Sequence, residues 1–185
     1  MHKINPQHYL FKADHSISKL PTVAKELTQM SAKDCLETTV KFGEQLNKLQ
    51  NLLHAAKTHG LLIVLQGMDT AGKDGVIRHV FQHISPLGVR AEAFGAPSEE
   101  EKKHDFLWRI HHKAPSRGEM VIFNRSHYED VLVTRVRGLI DKDTCEKRYR
   151  HIEHFESLLH DSGTVILKCY LHISKHEQKK RLQAR

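Results

Sequence analysis

Cysteine is scarce and scattered in this chain. Cys35, Cys145 and Cys169 are odd in number, far apart and never in a CxxC pair. That excludes a disulfide framework and a cysteine zinc site, and it reads as reduced thiols in a cytoplasmic protein. No apolar run approaches the ~18 residues of a membrane span. The first stretch, MHKINPQHYLFKADHS, carries no signal-peptide pattern. Neither an RNP-like aromatic motif nor a basic block is present, which argues against a nucleic-acid partner. An NKxD-like base-reading motif is missing too, which argues against a GTPase. Sixteen histidines invite a metal reading. The helical pairs His151/His154 and His172/His176 form no HExxH pattern, however, and read as solvated or partly buried helix residues. There is no internal repeat and no low-complexity segment.

What is present is a positive balance. Lys plus Arg number 29 against 22 Asp plus Glu, for a formal charge of +7. That favours polyanionic partners without choosing among them. At 185 residues the chain is long enough for a real core in one domain. Residues 1–30 read as an arm packed on the body by Ile4, Tyr9, Leu10 and Phe11, and residues 31–185 as the core.

Strand and helix signals alternate along that core. Ser31 and Asp34 have capping-box spacing and open a helix with Leu46, Leu49, Leu53 and Ala56 in one stripe, stopped by Gly60. Leu61–Leu65 is apolar without alternation, as in a buried parallel strand. The spacing predicts a helix over 73–83, a strand over 89–94, a helix opened by Ser98 and Glu101, and a strand over 120–123. A helix over 125–137 follows, its first three residues readable as loop. Asp141 starts a helix with Tyr149, Ile152, Phe155 and Leu159 inward, and Gly163 stops it. Thr164–Leu171 is a fourth strand, and Ser174 and Glu177 cap a last basic helix. This alternation implies an α/β fold of three layers, a parallel sheet with helices on both faces and an N-terminal helical extension. In such sheets ligands bind outside the carboxyl ends of the strands.

Two segments carry the chemistry. Gly67-Met68-Asp69-Thr70-Ala71-Gly72-Lys73 fits GxxxxGK between a predicted strand and a predicted helix, the context that gives the pattern meaning. Its glycines permit torsions that let backbone N–H groups face phosphate oxygens, and the helix N-terminus adds partial positive charge. Gly67, Thr70, Ala71, Gly72, Lys73, Asp74 and Gly75 form the candidate phosphate cradle. Asp74 stands where Ser or Thr usually follows the lysine. A bare carboxylate repels phosphate, whereas one facing it through Mg²⁺ bridges. Asp69 is therefore expected to help place the metal or to orient an attacking oxygen. Asp74 reads first as an acid favourable at a helix N-terminus. The second segment, FNRSHYE, follows the third strand. Asn124 occupies the strand-end position where NTPases hold a metal contact, and Arg125 offers a fork for phosphate. Lys102, Lys103, Arg109, His112 and Lys113 form a basic cluster readable as a solvated face or a polyanion track.

GMDTAGKDG, together with the segment from APSEEEKKHDFLWR to FNRSHYEDVLVTRV, resembles the polyphosphate kinase 2 family over about residues 30–185. The resemblance implies a P-loop NTPase-like core similar to thymidylate kinase. It also implies phosphoryl transfer between inorganic polyphosphate and AMP, ADP or ATP with Mg²⁺ or Mn²⁺, and a homo-oligomer. By motif position it assigns Asp69 and Lys73 to the loop acid and lysine. Asn124 and Arg125 become the second catalytic pair, and Glu129 with Arg125 the nucleotide contacts. Arg78 is implied as a further polyphosphate contact. Many members have Asp at the position of Asn124. Members also continue beyond the helix LHISKHEQKKRLQAR into an Arg-rich lid, so a core truncated before the lid is expected. Two other readings stay open: an ATP-dependent kinase of a nucleoside monophosphate or small metabolite, and a phosphate-binding module without turnover.

Overall fold

The computed structural model describes residues 6–11, 16–23 and 30–185. Among these, 3₁₀ turns at Pro6–Tyr9 and Ile17–Lys19 precede the core. Of the residues expected to pack the arm on the body, Tyr9, Leu10 and Phe11 are each about half exposed. Ile4 lies outside the described residues.

Helix α1 (Ala32–Ala56) opens with the expected capping box: Asp34 N–H donates to Ser31 Oγ, and Ser31 N–H to the Asp34 carboxylate. Two donors that would be orphaned at a helix start are thereby satisfied. The inward stripe differs from the expected one. Gly43 and Gln50 are buried and Leu46 packs on the sheet, while Leu49 is 62% exposed and Ala56 is also exposed. The stripe is rotated because Gly43 and Gln50, neither of which scores as apolar, occupy the close-packed face. The helix also stops earlier than Gly60: Lys57 takes the left-handed cap at φ 50°, and Gly60 is buried as the first residue of a strand.

Strands β1 (Gly60–Gly67), β2 (Val89–Ala93), β3 (Met120–Asn124) and β4 (Thr164–Leu171) form one parallel sheet in the order β2-β3-β1-β4. Helices α2 (Lys73–Val80), α3 (Trp108–His111), α4 (Glu129–Val136), α5 (Lys142–Asp161) and α6 (Lys175–Gln183) complete the core. The expected α/β architecture is borne out. Both faces of β1 are covered. Leu62 and Val64 pack with Val121, Phe123, Phe155 and Leu159 on one side; Ile63 and Leu65 pack with Ile122, Leu46, Val76 and Ile77 on the other. Each such fully buried side chain contributes about 1.5–3 kcal/mol, which is why β1 and β3 read as unbroken apolar runs.

The neighbours β1 and β3 send their connections to opposite faces, β1 to α2 and β3 to α4 and α5. A crevice must open between their carboxyl ends. Leu65 pairs with Asn124, and Asn124 with Ala93, so three strand ends reach the same level.

Several helices are shorter than their periodicity suggests. The Ser98/Glu101 box forms as expected, but only a 3₁₀ turn over Glu101–Lys103 follows. Asp105 then accepts the Leu107 N–H, a local turn that competes with the helix until α3 begins. Helix α2 ends at Val80 rather than His83, and α4 starts at Glu129 rather than at Arg125. Helix α5 matches, with Asp141 as N-cap and Ile152, Phe155 and Leu159 buried, but Tyr149 is 39% exposed. Arg109 does not belong to a basic surface track: it is 7% exposed and ion-paired to Asp130 at 3.1 Å. Lys102, Lys103 and Lys113 pair with Glu99, Glu100 and Glu92. No described helix is long and apolar enough to cross a membrane.

Candidate phosphate-binding site

A cavity of about 510 Å³ opens at the crevice, lined by the β1–α2 loop, the ends of β2 and β3, and the last helix. The loop is shaped by two glycines. Gly72 sits at φ 102°, a left-handed torsion that side chains rarely take. At Gly67 a Cβ would sit 3.0 Å from the Leu171 carbonyl and the Ala71 Cβ, so a side chain there would force its neighbours to give way. Thr70 is also left-handed, at φ 66°, as is Arg125 at φ 66°. Two non-glycine residues in that region, both beside one cavity, mark a backbone held by its surroundings.

Lys73 starts α2 and is 9% exposed. Its Nζ donates to the Gly67 and Met68 carbonyls at 2.8 and 3.2 Å. Burial, then the Arg125 charge, pushes the ammonium below the ordinary lysine range, opposed by Asp69, Glu129 and Asp74. The acids are matched to the second segment: Arg125 Nη2 donates to Asp69 at 3.2 Å, and Asn124 Nδ2 to Asp74 at 2.6 Å. The two polar clusters therefore meet, as their positions after β1 and β3 require. Asp74 also lies in the first turn of α2, where its charge opposes the helix dipole.

Among the residues singled out from the sequence, Asp69, Thr70, Gly72, Lys73, Asp74, Gly75, Asn124 and Arg125 line the cavity. Gly67 and Ala71 lie in the loop behind its lining. Glu129 is set back, accepting from Gln66 Nε2 at 2.8 Å. Arg78 is exposed on α2, off the lining. The sequence reading missed Ala93, Phe94 and Gly95, which the strand-end rule could have supplied once β2 was placed. It also missed Arg185, which lines the cavity from beyond the end of α6, and Arg181, which reaches the loop from α6 across more than a hundred residues. Nothing local in the sequence announces that contact.

Asp69 and Asp74 give this rim two carboxylates beside a lysine and an arginine. That donor set suits Mg²⁺, which takes one or two carboxylates and completes its shell with phosphate oxygens and water. Among the described residues no group of three or more His, Cys, Asp or Glu forms an all-protein metal cage. The fit is to a metal that arrives with phosphate.

A parallel sheet, a glycine-shaped loop running into a helix N-terminus and a charged crevice at the strand ends define an α/β fold of the P-loop kinase-like class. The family model for polyphosphate kinase 2 matches residues 29–185. The chain belongs to that family. It is 55% identical over 150 residues to an AMP/ADP-polyphosphate phosphotransferase from Meiothermus ruber, covering 81% of this chain and 56% of that protein. It is 47% identical over 154 residues to an ADP-polyphosphate phosphotransferase from Rhodopseudomonas palustris, covering 77% and 53%. The crystal structure of polyphosphate kinase 2 from Arthrobacter aurescens TC1 superposes with a TM-score of 0.91 at 41% identity, over 95% of this chain and 64% of that one. The chain thus spans about half the length of the curated relatives it matches.

Proposed function

We propose that this chain carries the phosphate-handling core of a polyphosphate-dependent nucleotide kinase. The reaction moves a phosphoryl group between inorganic polyphosphate and AMP or ADP. One observation supports it most: the loop acids and the Asn124–Arg125 pair meet across one crevice with Lys73 beneath them. A site for two polyanions needs cations to hold oxygens and carboxylates to bring in a divalent metal, and this rim offers both.

The chemistry asks little covalent work of the protein. In phosphoryl transfer, positioning and charge neutralisation supply most of the effect. Lys73 would leave the Gly67 and Met68 carbonyls for a bridging phosphate oxygen, and Arg125 would exchange Asp69 for phosphate. Asp69, and secondarily Asp74, would hold Mg²⁺ or Mn²⁺, whose bound charge offsets that of the transferred group. Glu129 and Arg125 stand as the nucleotide-side residues, and Arg78 as an outlying polyphosphate contact. The names of the relatives support both AMP and ADP as acceptors. A cytoplasmic setting is supported by three cysteines that stand unpaired.

The test is phosphate transfer from long-chain polyphosphate to AMP and ADP, with Mg²⁺ and with chelator. ADP or ATP formed without supplied ATP, and abolished by chelation, is the expected result. Transfer only with ATP as donor moves the assignment to an ATP-dependent kinase. Binding of tripolyphosphate without turnover moves it to a phosphate-binding module.

A further inference from the structure

Five successive carbonyls of the loop, Gly67 to Ala71, are held by side chains. Lys73 takes those of Gly67 and Met68. The next three are held by α6. Gln178 Nε2 donates to the Asp69 carbonyl at 3.1 Å, and Arg181 Nη1 donates to those of Thr70 and Ala71 at 3.1 and 3.2 Å. Arg181 is itself aimed. Glu177, whose N–H donates to the Ser174 Oγ cap, accepts from Arg181 Nε at 2.7 Å. In a trans peptide, each C=O points opposite to the N–H that follows it. Holding the Asp69, Thr70 and Ala71 carbonyls toward α6 therefore turns the N–H groups of Thr70, Ala71 and Gly72 the other way. Ala71 N–H is used within the loop, by the Met68 carbonyl at 3.0 Å. The contact also grips the residue at φ 66°, which a β-branched side chain does not adopt unaided.

We propose that α6 is the brace of the phosphate loop, and that Arg181, seconded by Gln178, is a positioning residue for polyphosphate binding. Arg181 acts through the loop backbone. Its Nη1 alone donates to two adjacent carbonyls while Nε of the same rigid plane is held by Glu177, a fixed arrangement that a lysine ammonium matches poorly. The inference deepens the polyphosphate reading above and rests on it for the identity of the anion, but not for the brace itself.

The test compares wild type, Arg181→Met and Arg181→Lys in this 185-residue chain. Tripolyphosphate affinity is measured by calorimetry, and amide exchange at residues 69–73 by NMR. Loss of charged hydrogen bonds of this kind is worth about tenfold or more in affinity. Arg181→Met is expected to bind about tenfold more weakly and to exchange faster at Thr70 and Gly72. Arg181→Lys should recover part of both, and millimolar guanidinium should partly restore Arg181→Met. Weaker binding with unchanged exchange overturns the proposal, because Arg181 then touches the anion instead of the loop. Unchanged affinity and exchange in Arg181→Met overturn it outright. Faster exchange in a chain whose wild type binds no tripolyphosphate upholds the brace and removes the polyphosphate reading instead.

Discussion

Residues 124–130 build two charged clusters within a few positions of each other, and the two behave as opposites. Upstream, Asn124 and Arg125 reach across an open cavity to Asp74 and Asp69. Arg125 is 44% and Asp69 72% exposed, so this pair is wet and contributes little to stability. Downstream, His127 and Tyr128 turn to the other face of the sheet. There Glu156 on α5 accepts from Tyr128 Oη at 2.9 Å and Lys168 Nζ at 2.6 Å, with His127 Nε2 at 3.2 Å. The His127 side chain is fully buried and that of Glu156 is 14% exposed. Burial works to raise the Glu156 carboxyl, but the hydrogen bonds from His127 and Lys168 hold it down at about 2. Burial and then the Glu156 charge push Tyr128 up to about 12. The first cluster's partners lie open to solvent; the second's are packed around a buried imidazole. One segment thus carries open contacts beside buried ones, and the left-handed Arg125 is the pivot between them.

The sharpest way to break the comparison is at the open site. Lys73→Ala should lower transfer by about a thousandfold, the scale of losing one preorganised cation or donor from a transition state. Thermal stability should hardly fall, because burial already disfavours the charged ammonium there. Kinetics and a melting curve on the same preparation decide it. Turnover within a few-fold of wild type would show that phosphate does not use the loop lysine.

The closed cluster should respond in the reverse sense. Glu156→Gln removes a charge that His127, Tyr128 and Lys168 all address, and is expected to cost about 2 kcal/mol at neutral pH after allowance for the half-exposed Lys168. The sign follows from the lowered carboxyl. Its stabilisation is present in full above the ordinary glutamate range near 4.5 and fades as pH falls toward about 2. Wild type and variant should therefore converge in stability on acidification, while their tripolyphosphate affinities at neutral pH stay within about threefold. Urea melts at a series of pH values measure the first, calorimetry the second. A difference in stability that does not shrink in acid would mean that packing, not charge, is what Glu156 provides.

The same division explains what the sequence could say. The loop, the strands and the placing of the loop and the Asn124–Arg125 segment at strand ends were legible, because GxxxxGK between strand and helix fixes a backbone and the strand-end rule fixes where both segments lie. The stripe on α1 was misread since Gly43 and Gln50, not Leu49, fill the packed face. Arg109 looked like surface charge because its partner Asp130 lies on a different element, visible only once α3 and α4 are packed. Arg181 was invisible for the same reason at greater range. Local rules report what the backbone must do; they are silent on which distant side chain satisfies it.

The smallest expected effect sharpens the comparison most, because it separates strain from use. Thr70→Gly relieves a β-branched residue of its left-handed torsion, worth about 1 kcal/mol. It returns a similar amount in lost chain entropy, about 0.5–1 kcal/mol. The melting temperature should therefore stay close to that of wild type. Tripolyphosphate affinity should still drop by about two- to fivefold, since the glycine leaves the loop more torsions to search before its N–H groups converge. Affinity equal to wild type would mean that the contacts from α6 fix this stretch unaided and that Thr70 contributes nothing to its shape. A gain of more than about 1 kcal/mol in stability together with weaker binding would make the held torsion a standing cost of the open site, one with no counterpart in the cluster around Glu156.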